Sequence, residues 1–171
     1  KEMAAPINEL KQKRVAEIKA PIDGERGNCR ARECEMGVVV AEAMLDRVKD
    51  QGISIAIQNG GGLRASIPAG PVTMGDVLTV LPFQNTLSTF ELKGADVIAA
   101  LENGASQMEE GAGRFAQVAG LKYTVDPAAP VGSRISDVQV RSGTQWAPID
   151  PNAIYGVVSQ NYMRSGGDGY K

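Results

Sequence analysis

The run ISIAIQNGGGLR, residues 53–64, constrains the fold more than any other part of this chain. Its first five residues, rich in β-branched isoleucine, read as a strand buried in a sheet. Three consecutive glycines follow closely and read as a turn at the strand's end. Without Cβ atoms, such a turn adopts backbone angles closed to other residues and lets a ligand or a second segment come close. Arg64 then places a fixed positive charge. Backbone N–H groups and a guanidinium aimed at an anion form one reading. A tight turn carrying a surface arginine is the other, and the triplet alone does not choose between them.

With 171 residues, 43% hydrophobic and 22% charged, the chain fits one globular domain with a real core. A net charge of −2 and the lack of a basic block give no electrostatic reason to expect nucleic acid as partner. No apolar run approaches the roughly 18 residues of a transmembrane helix. The chain opens on Lys1 and reads as an excised piece, so a missing signal peptide carries no information. The sequence contains no histidine. That removes the commonest metal ligand and general base, and with them imidazole-dependent triads and zinc sites. A carboxylate site for Mg²⁺ or Ca²⁺ stays open, without any loop of EF-hand spacing. Cys29 and Cys34 bracket CRAREC. They lack the further soft ligands of a structural zinc site and the spacing of a CxxC redox pair. A local disulfide in an exported protein is the preferred reading over two free thiols.

Along the chain, APINELKQKRVAEIKA places Ile7, Leu10, Val15 and Ile18 on one helical face, predicting a linker helix over 6–19 that Pro21 and the following Asp-Gly close. A second helix is expected from Glu35 to Asp50, with Val40, Met44 and Val48 in a stripe and Gly52 as its stop. After the strand at 53–57, Thr73 and Asp76 suggest a capping-box variant opening a short helix through Val80. LPFQN reads as a loop and TLSTFEL alternates like a strand. Residues 94–108 look helical, with Ile98, Leu101, Ala105 and Met108 on one face. Strand-like runs follow near 115–125, 134–141 and 153–160. Helices and strands alternate without a strict βαβ rhythm, which points to an α+β domain with a mixed β-sheet flanked by helices. The closing GGDGYK normally precedes a last element, so the C-terminus is expected to be cut.

Four loops at element ends share one character: CRAREC, NGGGLR, LPFQN and NYMRSGGDGY. Arg30 and Arg64 supply charge, Phe83 and Tyr162 flat apolar faces, and Asn59, Asn85 and Asp168 directional hydrogen bonds. Together they make the inventory of a nucleotide site. Taken singly, each has a plainer use: Phe83 as a core plug, Arg30 as a solvated loop residue, Asp168 as a turn residue, Tyr162 as a half-buried wall.

In order and spacing, the blocks DGERGNCRAREC, NGGGLRASI, GDVLTVLPFQNTL, GRFAQVAGLKYTVD and GGDGY resemble the C-terminal domain of the 5'-nucleotidase and UDP-sugar hydrolase family. The resemblance runs from about Asp23 through Tyr170. It implies that Arg30 and Arg64 hold substrate phosphate beside the turn Gly60, Gly61 and Gly62, with Asn59 in the same polar group. It implies that Phe83 and Tyr162 sandwich the base, Tyr162 standing where Phe is usual, that Asn85 lies near the base, and that Asp168 holds the ribose hydroxyls. Cys29 and Cys34 match a disulfide found in some members.

The resemblance further implies that no catalytic residue or metal ligand lies in this chain. Hydrolysis of nucleotide phosphate esters would use two divalent metal ions in an N-terminal metallophosphatase domain of the same parent chain, absent here. Residues 1–22 would be the interdomain linker and 23–171 the substrate-binding, specificity-setting domain of a periplasmic, cell-surface or secreted enzyme. The alternative is a non-catalytic nucleoside- or nucleotide-binding module. Metal ligands encoded upstream in the parent would discriminate the two.

Overall fold

The computed structural model describes residues 5–171. The chain runs α1 (Ala5–Gln12), β1 (Arg14–Ile18), α2 (Arg26–Cys29), α3 (Glu35–Arg47), β2 (Ile55–Asn59), β3 (Gly70–Thr73), α4 (Met74–Val80) and β4 (Leu87–Lys93). It continues through α5 (Gly94–Ala105), β5 (Ala116–Ala119), β6 (Leu121–Val125), β7 (Ile135–Ser142), β8 (Gln145–Pro148), β9 (Ile154–Gln160) and α6 (Asn161–Arg164). The glycine triplet is a single 3₁₀ turn, Gly60–Gly62. This is the α+β architecture read from the sequence.

The central sheet has the order β4-β9-β2-β5 and is mixed: β2 and β9 run parallel, while β4 and β5 flank them antiparallel. Every residue of β2 is buried, because helices cover both faces. Ile55 and Ile57 point toward α5, packing with Val97, Leu101 and Val157. Ala56 points toward α3, packing with Ala41, Met44 and Val158. The period-two alternation therefore separates two apolar layers rather than core from solvent. A third cluster, containing both cysteines, Leu63, Val72 and Val80, fills the space under β1, β3 and α4. A second, antiparallel sheet β6-β7-β8 shares the α5 side of the core through Val138 and Val140.

Several boundaries differ from the sequence reading. The predicted linker helix ends at Gln12, and Arg14–Ile18 is instead a strand paired antiparallel with Gly70–Thr73. The first four positions of the predicted linker lie outside the described residues. The apolar offsets suited a helix, but β3 offers Arg14, Ala16, Glu17 and Ile18 a pairing edge, and tertiary pairing overrides a weak local preference. The strand expected at 53–57 sits two residues later, which brings Gln58 and Asn59 into the sheet opposite Gln117 and Ala116. The run 115–125 is two strands in different sheets, divided at Gly120 (φ 68°). A Cβ there would lie 2.0 Å from the Ser54 carbonyl oxygen, so the change of sheet requires glycine. The strand β8, exposed along its length and ending in Pro148, lacks the alternation that would reveal it. Other readings hold. Thr73 and Asp76 form a reciprocal capping box at α4, and Gly52 stands in the left-handed region (φ 72°) beyond α3.

Replacing Ile55, wholly buried, by Ala is expected to cost about 2–5 kcal/mol. Ile7→Ala on exposed α1 should stay within about 0.5 kcal/mol. Urea denaturation of both variants checks this, and equal losses would contradict the packing of α1.

Candidate functional site

The parallel strands β2 and β9 end on the same edge of the sheet. One leads into the glycine turn, the other into α6. Ligands in open α/β sheets commonly bind beyond such carboxyl ends. Here the edge carries a group of buried polar side chains: Gln58, Asn59, Gln117, Ser159 and Gln160. A cavity of about 500 Å³ opens over it. Arg30, Asn59, Gly61 and Gly62 line its floor, with Phe83, Asn85, Tyr162 and Asp168 around them. Another cavity, of about 590 Å³, lies beside α5 and β4 with mostly apolar walls, among them Phe90, Leu92 and Met163. It contains none of the residues singled out in the sequence, and charge and aromatic faces converge on the first.

The loop that presents Arg30 is built locally. The carboxylate of Asp23 accepts from the Glu25 N–H (2.9 Å) and the Asn28 amide (2.7 Å), which holds its own pKa below the usual carboxylate range. Cys29 and Cys34 are joined in a disulfide, and the Cys34 sulfur caps α3 by accepting from the Gly37 N–H. Between them Arg30 is only 9% exposed. Its Nη1 donates to the Gly111 carbonyl at 3.1 Å, while its buried Nε has no partner. Among the described residues no carboxylate reaches ion-pair distance from it. Burial holds its pKa below the ordinary value, nearby Arg26 and Arg64 add repulsion, and Asp168 partly offsets them. A buried cation without a countercharge is costly, and a bound anion relieves that cost.

Arg64 stands at the rim rather than in the cavity wall. It is solvent-exposed, with its guanidinium carbon 5.8 Å from the centroid of the Phe83 ring. Phe83 is 56% exposed and Tyr162 46%, so neither is a core plug and both offer open aromatic faces. The Tyr162 ring lies over Gly167, where a Cβ would come within 2.5 Å of the ring carbon Cζ. Its hydroxyl donates to Asp168 Oδ1 at 3.0 Å, and Asn59 Nδ2 donates to Asp168 Oδ2 at 2.6 Å. The Asn59 oxygen accepts from Gln58 Nε2 (3.0 Å) and Gln160 Nε2 (2.9 Å). Gln160 Oε1 caps α6 by accepting from the Tyr162 N–H at 2.8 Å. Gln58, Asn59, Gln160 and Tyr162 thus form one hydrogen-bonded network ending on the Asp168 carboxylate. Gln117 bonds instead to the disulfide loop, and the Ser159 hydroxyl to the Met163 sulfur. The bond to Asp168 raises the pKa of the Tyr162 phenol, which stays a donor.

Of the two approaches the sequence allows at the glycine triplet, by a ligand or by a second segment, the second is seen at Gly60 and Gly61. A Cβ at Gly60 would lie 2.0 Å from the Cys29 carbonyl oxygen, and one at Gly61 would lie 2.8 Å from Gly113 Cα. The N–H groups of Gly60 and Gly61 donate to the carbonyls of Phe115 and Gly113, each at 2.8 Å. These two glycines admit neighbouring backbone, and their donors are spent on it. Gly61 and Gly62 still border the cavity, whereas Gly60 stands behind it.

Four participants carry no role in the sequence reading. Arg26 precedes Arg30 by one helical turn, a same-face spacing that could have revealed it. Gly113 and Gln117 lie within the block GRFAQVAG, and Gln160 directly precedes NYMR. An isolated polar residue in a strand carries no local sign of what it touches.

The family model described as 5'-nucleotidase, C-terminal domain matches residues 14–171. The chain is 40% identical over 167 residues to the trifunctional nucleotide phosphoesterase protein of Bacillus subtilis, covering 96% of this chain and 11% of that protein. It is similar to the crystal structure of a 5'-nucleotidase precursor from Thermus thermophilus, at 47% identity and TM-score 0.95, over 99% of this chain and 33% of that one. The NAD nucleotidase of Haemophilus influenzae aligns at 32% identity and TM-score 0.84, over 99% of this chain and 32% of that one. The chain therefore spans a third or less of the length of these relatives.

Substitutions at two glycines test the turn. Gly60→Ala is expected to cost about 1–3 kcal/mol or more, since backbone must move. Gly27→Ala, with nothing within 4 Å of its Cβ, should be neutral or stabilise by up to about 1 kcal/mol. Replacing both cysteines by Ser should remove about 2 kcal/mol in the loop-entropy model. Melting temperatures of the three variants provide the measurement.

Proposed function

The chain belongs to the family of 5'-nucleotidase C-terminal domains, and from that membership we propose that it binds the nucleotide and sets the specificity of an exported 5'-nucleotidase or UDP-sugar hydrolase. The observation that carries this reading is Arg30, a buried cation with an unpartnered Nε beside a cavity that also offers two open aromatic faces and a held carboxylate. Phosphate pairs with Arg30, and Arg64 closes on it from the rim. The base stacks between Phe83 and Tyr162, with Asn85 at its edge. The ribose hydroxyls donate to Asp168, whose orientation Asn59 and the Tyr162 hydroxyl preset.

Hydrolysis in this reading belongs to the N-terminal metallophosphatase domain of the parent chain, which would hold two divalent metal ions. The described residues contain no group of three or more His, Cys, Asp or Glu side chains able to hold a metal. What this chain contributes is binding energy and placement: a nucleotide held at phosphate, base and ribose presents its ester in one orientation. The Cys29–Cys34 disulfide suits the oxidising environment of a periplasmic, cell-surface or secreted protein.

Calorimetry with adenosine and AMP tests the assignment. Phe83→Ala and Tyr162→Ala should each weaken both ligands by roughly 5- to 150-fold, the equivalent of about 1–3 kcal/mol of stacking. Arg30→Ala and Arg64→Ala should weaken AMP and leave adenosine nearly unchanged. Folded aromatic variants that bind adenosine like the wild type would refute the stacking site. Turnover of AMP or UDP-glucose by the isolated chain with Mn²⁺, Zn²⁺ or Co²⁺, retained through several purification steps, would refute the division of labour.

A further inference from the structure

Gln117 shares the polar sheet edge, but its polar atoms are engaged on the disulfide loop and it does not line the cavity. It lies in β5 opposite Gln58 and is only 1% exposed. Its Nε2 donates to two carbonyls, that of Cys29 at 3.0 Å and that of Arg32 at 2.7 Å. Its Oε1 accepts from the Cys34 N–H at 3.1 Å. Both donors and the acceptor of one carboxamide are thus engaged on the six-residue disulfide loop. Gly37 makes room for it, since a Cβ there would lie 2.2 Å from Oε1. The two captured carbonyls flank Arg30 on either side.

The same segment grips the loop a second time. Gly111, six residues before Gln117, provides the carbonyl that accepts from Arg30 Nη1. The residues between them, Gly113 and Phe115, receive the N–H groups of the glycine turn. Segment 111–117 therefore holds the backbone on either side of Arg30 through one end and its guanidinium through the other. The disulfide closes the loop on itself but does not by itself fix the loop's position against the sheet. The carboxamide ties it to β5.

We propose that Gln117 is a positioning residue for anion recognition, setting where Arg30 stands in the cavity. This rests on the reading of Arg30 as the phosphate contact. Gln117→Met keeps the side chain's length while removing both donors and the acceptor. In calorimetry on this chain it should weaken AMP by about tenfold or more, and adenosine by less than about twofold. Intact mass should show the disulfide still formed. An AMP affinity equal to the wild type in a folded variant overturns the inference, as does an equal loss for both ligands, which marks a merely structural role. A measurement on the wild type is independent of the variant's folding. In ¹H–¹⁵N spectra the Gln117 side-chain amide should shift on adding AMP and stay in place on adding adenosine; no shift with saturating AMP overturns the inference. Wild-type chain that binds adenosine and AMP equally refutes the phosphate reading itself, and the inference falls with it. Wild-type discrimination with an indifferent Gln117→Met refutes the inference alone.

Discussion

Backbone lies directly on backbone where the glycine turn meets the disulfide loop. Gly60 packs against the Cys29 carbonyl and Gly61 against Gly113, and both donate their N–H groups to segment 113–115. Three stretches of chain that are far apart in sequence thereby meet with no side chains between them. Close packing of this kind leaves little freedom for rearrangement. The turn's other end is also tied, because the Arg64 N–H donates to the Val80 carbonyl and Leu63 fills the small core under α4. The positions of Arg30, Arg64 and the cavity floor all follow from this junction. It is anchored in turn by β2, the most buried strand of the sheet.

The arrangement carries a cost of its own. Arg30 is buried without a carboxylate partner, and the buried polar groups of Gln58, Asn59, Gln117 and Gln160 must all find hydrogen bonds. They do so with one another and with the disulfide loop. Fully satisfied polar networks specify one geometry, whereas partly satisfied ones destabilise it. The single orphan among the described residues is the Arg30 Nε. The deficit thus falls on a cationic donor, the kind of group a bound anion would satisfy.

Much of this was legible in the sequence because its signals are local. β-Branched runs marked the strands, Thr73 and Asp76 marked their cap, and the spacing of Cys29 and Cys34 admitted a bridge. What was not legible depends on distant partners. Nothing in RVAEI announces that GPVT offers it an edge, and nothing in QWAP separates a short exposed strand from a loop. The glycine triplet was recognised as a site of close approach, but what approaches is mainly this chain's own backbone. Gln117 and Gln160 are invisible for the same reason: their roles lie in contacts 83 and 101 residues away.

Tyr162 shows how a change invisible to composition alters a site's chemistry. From sequence, its ring is interchangeable with Phe as a stacking face. In the structure its hydroxyl occupies one acceptor position of Asp168 Oδ1, as Asn59 occupies one of Oδ2. A carboxylate offers about four such positions, so roughly one on each oxygen remains. Those two suffice for a vicinal diol, with each hydroxyl donating to a different oxygen. The fixed donors also hold the carboxylate's orientation at a backbone angle (φ 54°) that few non-glycine residues adopt. Because the phenol's pKa is raised, it remains protonated and keeps donating. The hydroxyl thus narrows what Asp168 can accept while keeping it aimed, and in the proposed nucleotide reading it would join base stacking and ribose recognition in one side chain.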